Sequence, residues 1–153
     1  MKIRAATQND IEALSSLLTE FFAYNANLEP MYCNANIESG EYPKTIIESD
    51  DADFLIAEEN GIVLGFIHIN QAKTPPYDSI VPHNYAEIMA FMVTASFRQQ
   101  GIGDKLIEAA KKWSVERNLD YIELTSLANA KEATGFYDKQ GFVAMSHIRR
   151  YGL

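Results

Sequence analysis

The residues best suited to chemistry in this chain lie in one stretch, Tyr85 to Asn118. At its centre Arg98-Gln99-Gln100-Gly101-Ile102-Gly103 follows an apolar run, Ala86 to Val93, and leads through Asp104 into a helical pattern. Strand, glycine-containing turn, helix is an order that suits an anion such as a phosphate. The first N–H groups of a helix have no intrahelical partner, and the helix dipole places partial positive charge there. Gly101 and Gly103 lack a Cβ, so the backbone can approach a ligand and take conformations closed to other residues. Arg98 adds a cation beside the turn. On these residues alone, an ordinary strand-to-helix connection with two convenient glycines remains an alternative. Two phosphate motifs are excluded. No Lys-Ser or Lys-Thr follows the glycines, as a nucleotide P-loop requires, and Leu106 stands where a dinucleotide-binding turn needs its third glycine.

The string Arg98 to Gly103 resembles the R/Q-x-x-G-x-G/A signature of the GNAT superfamily, the acetyl-coenzyme A-dependent N-acetyltransferases. Downstream, Phe136-Tyr137-Asp138-Lys139-Gln140-Gly141-Phe142 is similar to that superfamily's second marker, F-Y-x-K-x-G-F. The two occur in the expected order, separated by a helix and a strand. The close resemblance covers residues 84–142, and the remainder follows only by pattern. It implies one acetyltransferase domain over residues 1–153, with a mixed α/β sheet and helices on both faces. Acetyl-coenzyme A is the implied cosubstrate, with no metal. Its phosphates would lie against Arg98, Gln99, Gln100, Gly101, Ile102, Gly103 and Asp104. Its pantetheine arm would pair with the main chain at Met92 and Val93, much as an added strand would. The Asn that many members carry seven residues before the motif Tyr is here Ala130; Asn129, one position earlier, is a candidate coenzyme contact whose role this displacement weakens. A coenzyme A-binding sensor or scaffold without turnover is the alternative to an enzyme.

Moving an acetyl group from a thioester to an amine requires three things of a protein. The amine must lose a proton, the carbonyl oxygen needs a hydrogen-bond donor, and the departing thiolate is helped by a proton. Period-two alternation predicts Glu87 on one strand face with Met89, Phe91 and Val93, partly desolvated, which favours a base. Its spacing ahead of Arg98 also resembles the histone-type branch of the superfamily, where a Glu in this strand is the base. A solvated Glu near the strand's start is the alternative. Glu58, Glu59, His68 and His83 are further candidates for the base. The resemblance implies the backbone N–H near Val93 for the carbonyl, and Tyr137 as the acid.

Composition places limits on the partners. Thirteen Lys and Arg against twenty-one Asp and Glu give a net charge of −8, which disfavours nucleic acid because phosphate contacts need a basic surplus. A negative field draws in a cationic amine instead, whether on a small molecule or a peptide. Solubility alone also explains such an excess. Cys33 is the only cysteine, so no intrachain disulfide is expected. No signal pattern or membrane-length apolar run occurs, and a cytoplasmic protein without membrane association is expected.

Several elements must position these groups. Lys2 to Ala6 reads as a first strand. Thr7 with Asp10 three residues on reads as a capping box that opens a helix reaching about Tyr24. Asn25 to Tyr42 is irregular, and the aromatics around it, Phe22, Tyr24, Tyr32 and Tyr42, mostly read as packing over the core; the resemblance makes this region a wall of the acceptor pocket, with Tyr24 or Tyr32 as the substrate contact. A shorter helix should follow Pro43. Asp53 to Glu59 and Ile62 to Asn70 form a hairpin about Asn60-Gly61, with Gly65 at a bulge or close backbone approach. Gln71 to His83, with three prolines, is a loop. A helix from Ile102 past Trp113, a strand from Tyr121 to Leu127, a helix from Ala130 to Lys139 and a last strand from Phe142 to Tyr151 complete the order. One strand stands where the superfamily usually has two. A homodimer is therefore expected, in which a neighbour covers the bare sheet edge.

Overall fold

The computed structural model describes residues 1–37 and 40–153. Five strands form one sheet in the order β1-β2-β3-β4-β5: β1 Lys2–Ala5, β2 Ala52–Glu59, β3 Ile62–Lys73, β4 Asn84–Val93 and β5 Ile122–Leu124. The first four pair antiparallel and β5 runs parallel to β4. Four helices cover the two faces: α1 Ile11–Leu28, α2 Glu41–Ile47, α3 Ile102–Glu116 and α4 Lys131–Lys139. This mixed α/β architecture with helices on both faces is the expected one.

One core lies between the sheet and α1 and α2, built on Leu14, Leu18, Phe54, Ile56, Phe66, Ala90 and Met92. The other lies under α3 and joins Ile67, Ile69, Ala86 and Ile88 to Ile102, Leu106, Ile107, Ala110 and Trp113. Leu106 and Ile107 are fully buried, and burial of such side chains contributes roughly 1.5–3 kcal/mol each. A polar tie fixes the far end of α3. Trp113 Nε1 donates to Asp53 Oδ2 at 2.7 Å, and the Arg117 guanidinium lies 3.9 Å from the indole centroid.

The chain's start is held by an ion network. Arg4 donates through both terminal nitrogens to Asp10 at 2.8 and 2.9 Å, and through Nε to Glu58 at 2.8 Å. Asp10 also accepts the Thr7 backbone N–H at 2.7 Å. The Thr7–Asp10 signal thus opens a 3-10 turn at Gln8–Asp10 before α1 begins. Helix α1 continues a turn past Tyr24 to Leu28, because nothing in Asn25 to Leu28 breaks a helix before Pro30 biases Glu29 away from helical geometry. Pro43 lies inside the first turn of α2 rather than ahead of it, at a position where its missing N–H leaves no bond unmade. The part of the irregular segment at Glu38 and Ser39 lies outside the described residues.

Asn60 and Gly61 take φ of 52° and 80°, as the tight hairpin demands. Gly65 is a close approach: a Cβ there would lie 2.6 Å from the Met92 carbonyl oxygen. Strand β3 extends three residues beyond Asn70 because β4 begins at Asn84 and gives it a partner. Strand β5 is shorter than the apolar run around it. The expected last strand is not formed. Residues 143–153 have no regular structure, and Val143, Met145, Ile148 and Tyr151 are at least 77% exposed. A strand needs a ladder, and this segment forms none with the described residues, being tied to them through the Arg150 guanidinium over the Tyr32 ring at 4.3 Å.

Candidate active site

The ladder between β4 and β5 covers only Ala86–Ile122, Glu87–Glu123 and Ile88–Leu124. Beyond Ile88 the strands part, and the β4 edge from Met89 to Val93 faces a cleft of about 1220 Å³. Its opposite wall is Leu124 to Leu127, its floor includes Phe136 and Tyr137 of α4, and α1 closes one side through Glu20 and Tyr24. Parallel strands that separate this way leave main-chain donors and acceptors open to a ligand.

At one end of the cleft stands the glycine turn. Gln99 and Gly101 take φ of 60° and 76°, so Gly101 is required by its left-handed backbone, while space beside it is ample. Gly103 answers a different need. A Cβ there would lie 3.1 Å from Phe136 Cζ and 3.3 Å from Phe91 Cζ, so its absence lets the start of α3 close onto α4. The first N–H groups of α3, at Ile102, Gly103 and Asp104, have no acceptor within the helix. Arg98 lies back across the end of β4, where Nε donates to the Val93 carbonyl at 3.0 Å, and it faces Glu132 at 3.7 Å. Lys131 and Lys139 also line the cleft.

The structure brings Tyr24, Tyr32, Met92, Val93, Arg98, Gln99, Gly101, Ile102, Gly103, Asp104 and Tyr137 to this one cleft. Three expected residues lie outside its lining. Gln100 turns back to the Ser96 carbonyl. Asn129 donates to the Leu28 carbonyl and to Glu29 Oε1 at 2.8 Å, so it ties the end of α1 to the loop before α4. Glu87 sits one position before the cleft-lining Ile88, opposite Asn70 on β3 and Glu123 on β5.

The expected strand face of Glu87 needs correction. Ala90 pairs with His68 and Ile88 with Ile69, so Met89 is an extra residue that bulges from β4. The bulge reverses the alternation. Ala86 and Ile88 face α3, whereas Ala90 and Met92 face α1 and α2. Glu87 therefore shares the α1–α2 face with Ala90 and Met92, while Phe91 and Val93 pack on the α3 side. No pattern in the residue types marks Met89 as an insertion.

Tyr137 rests against Phe91, Phe136 and Phe142, with ring centroids 5.7–6.1 Å away. Burial pushes its hydroxyl up to about 12, so it keeps its proton at neutral pH. Glu20 escaped the sequence reading: it lies on the exposed face of α1, one turn before Tyr24, and only the tertiary arrangement turns that face into a wall. Lys131 and Lys139 escaped it for the same reason. Cys33 lies at the cleft's edge, half-buried. Among the described residues no three His, Cys, Asp or Glu side chains are placed to hold a metal ion, and no helix is long and apolar enough to cross a membrane.

Comparison with known proteins gives the arrangement a context. The profile of the acetyltransferase (GNAT) family matches residues 11–142. An uncharacterized N-acetyltransferase of Archaeoglobus fulgidus is 27% identical over 140 residues, covering 92% of this chain and 91% of that one. A second, from Methanocaldococcus jannaschii, is also 27% identical over 140 residues, but the chain spans only 59% of its length. Among solved structures, a Bacillus halodurans protein crystallised as a tetramutant superposes with a TM-score of 0.91 over the whole of both chains, at 19% identity. The aminoglycoside acetyltransferase AAC(6')-Iy, in complex with a bisubstrate analogue, superposes at 0.73 over 99% of this chain and 97% of that one, also at 19% identity.

Proposed function

The chain belongs to the acetyltransferase (GNAT) family, and on that premise we propose that it moves an acetyl group from acetyl-coenzyme A to a primary amine by direct attack, with both substrates in the cleft together. The observation that carries this reading is the parting of β4 from β5, which opens the Met89–Val93 edge into the cleft that also holds the glycine turn. That edge suits an arm rich in amides, and the turn with Arg98, Lys131 and Lys139 suits the phosphates. When bound, the cosubstrate supplies an activated acyl group on a thiol leaving group.

The protein's own residues divide the remaining work. The N–H near Val93 donates to the carbonyl oxygen as negative charge develops there. Glu87 takes the amine's proton, and Tyr137, protonated and half-buried in the cleft lining, returns one to sulfur. Glu20, on the α1 side of the cleft, places a carboxylate where a cationic acceptor would enter, and Tyr24 lines the same cleft with an aromatic face that favours cations, while the ring of Tyr32 is already covered by the Arg150 guanidinium at 4.3 Å. The net charge of −8 favours the same class of acceptor, and cytoplasmic localisation belongs to the same reading. A homodimer completes it. Strand β5 is the last in the sheet, and the tail carries exposed apolar residues at Val143, Met145 and Ile148 that a second copy would cover.

The test is thiol release from acetyl-coenzyme A with spermidine, kanamycin and a lysine-bearing peptide as acceptors. Release with one of these classes is expected. Binding of the coenzyme without release in any of them would identify a silent coenzyme A-binding domain in place of an enzyme.

A further inference from the structure

The cleft wall at Tyr32 and Cys33 is not placed by a hydrophobic core. It belongs to the turn that follows α1, where the Tyr32 and Cys33 N–H groups donate to the Glu29 carbonyl at 3.0 and 2.8 Å. Met31 is 96% exposed and Tyr32 66%, and neither packs into the two cores. Buried apolar area therefore does little to fix the turn. Other forces must hold it against the cleft.

Among the described residues, two side chains tie this turn to elements beyond α1 by hydrogen bonds or ring contacts. Asn129, in the loop before α4, donates through Nδ2 to Glu29 Oε1 at 2.8 Å and to the Leu28 carbonyl at 3.3 Å. Arg150, in the tail after α4, lays its guanidinium 4.3 Å from the centroid of the Tyr32 ring. One tie ends on a carboxylate and the other sets a cation over a π face. Asn129 and Arg150 are both exposed, so these contacts break and re-form without unpacking a core. They flank the helix that carries Tyr137 and that packs through Phe136 against Gly103 of the glycine turn.

We propose that Asn129 and Arg150 form a latch that holds the Glu29–Cys33 turn as a lid on the acceptor end of the cleft. This rests on the reading of that end as the acceptor's. Latched, the turn keeps Tyr32 and Cys33 at a fixed place relative to Tyr137, because both ties come from the flanks of α4. Released, it moves out on the end of α1, and the cleft widens for an acceptor to enter or a product to leave. Asn129 and Arg150 are thus positioning residues for the acceptor. Asn129 serves the wall and not the coenzyme, since its side-chain donor is already committed to the end of α1.

Amide hydrogen exchange, followed residue by residue, tests the latch without any acceptor. In Asn129→Ala and in Arg150→Ala the Tyr32 and Cys33 amides should exchange about threefold to tenfold faster than in the wild type, and the amides of α3 should not change. Arg150→Lys keeps the cation and should recover part of the protection. The second measurement uses whichever of spermidine, kanamycin or the lysine-bearing peptide turns over. Both alanine variants should raise the acceptor's KM about threefold to tenfold, while kcat, coenzyme A affinity and Tm hold. Wild-type exchange in both variants refutes the latch. Faster exchange beside an unchanged acceptor KM refutes the lid, and a loss of coenzyme A affinity in Asn129→Ala assigns that residue to the coenzyme instead. If no acceptor turns over, the proposed function fails, and exchange alone decides whether the two side chains hold the turn.

Discussion

Arg98 Nε donates to the Val93 carbonyl at 3.0 Å, which joins the glycine turn to the end of the strand that opens into the cleft. The bond uses the one guanidinium nitrogen that lies along the side chain, while a terminal nitrogen faces Glu132 of α4 at 3.7 Å. A lysine has no equivalent of Nε and cannot serve both ends. Arg98→Lys should weaken coenzyme A binding by about tenfold, in line with the loss of a hydrogen bond to a charged group. Calorimetric titration decides this, with Tm as the control for folding.

Gly65 offers a test of the same region from the other side of the sheet. Its missing Cβ would meet the Met92 carbonyl oxygen at 2.6 Å, a backbone atom that cannot swing away. Gly65→Ala should therefore cost about 1–3 kcal/mol of stability and disturb β4 where it faces the cleft. Urea denaturation that finds the variant as stable as wild type would contradict the close approach.

Glu87 and Tyr137 predict separate kinetic signatures. Glu87→Gln should lower kcat by on the order of 10² or more, with the acidic limb of the rate profile moved or lost. Tyr137→Phe should lower kcat while sparing coenzyme affinity. Since burial holds the phenol at about 12, the wild-type enzyme should show no basic limb from Tyr137 below about pH 10. Profiles identical to wild type in both variants would remove these residues from the proton path.

Two buried groups set the acid stability. Burial lowers His68 from 6.5 to about 4, so the unfolded chain takes up this proton first. Stability is complete above 6.5 and falls as the pH drops towards 4. Asp10 is lowered from 3.8 to about 2, chiefly by its hydrogen bonds from Arg4. Its contribution is present above 3.8 and is lost as the pH drops towards 2. Each should be worth on the order of 2–3 kcal/mol. His68→Phe should flatten the upper part of the curve and Asp10→Asn the lower part, as followed by chemical denaturation at fixed pH values.

Association is testable directly. With the exposed Val143, Met145 and Ile148 covered by a second copy, light scattering should give twice the chain mass at micromolar concentration. Replacing Met145 and Ile148 by Asp should return it to the single-chain mass. Monomer alone in the unaltered protein would leave the apolar tail unexplained.

What the residues determine by themselves is what local geometry and short-range chemistry control. The Asn60-Gly61 hairpin, the Gly101 turn, the α3 stripe of Ile102, Leu106, Ala110 and Trp113, and the two motif strings all express constraints that act within one turn or one strand. Tertiary structure decided the rest. The bulge at Met89 depends on the register between β3 and β4, and it moved Glu87 to the opposite face from the one that alternation assigns. Asn129 was free to point anywhere until the end of α1 came within reach. Glu20 is an ordinary helix-surface residue until a cleft forms beside it. The last apolar run, from Phe142, has the composition of a strand but no ladder among the described residues, because a strand's backbone bonds belong to its neighbour and cannot be read from its own side chains.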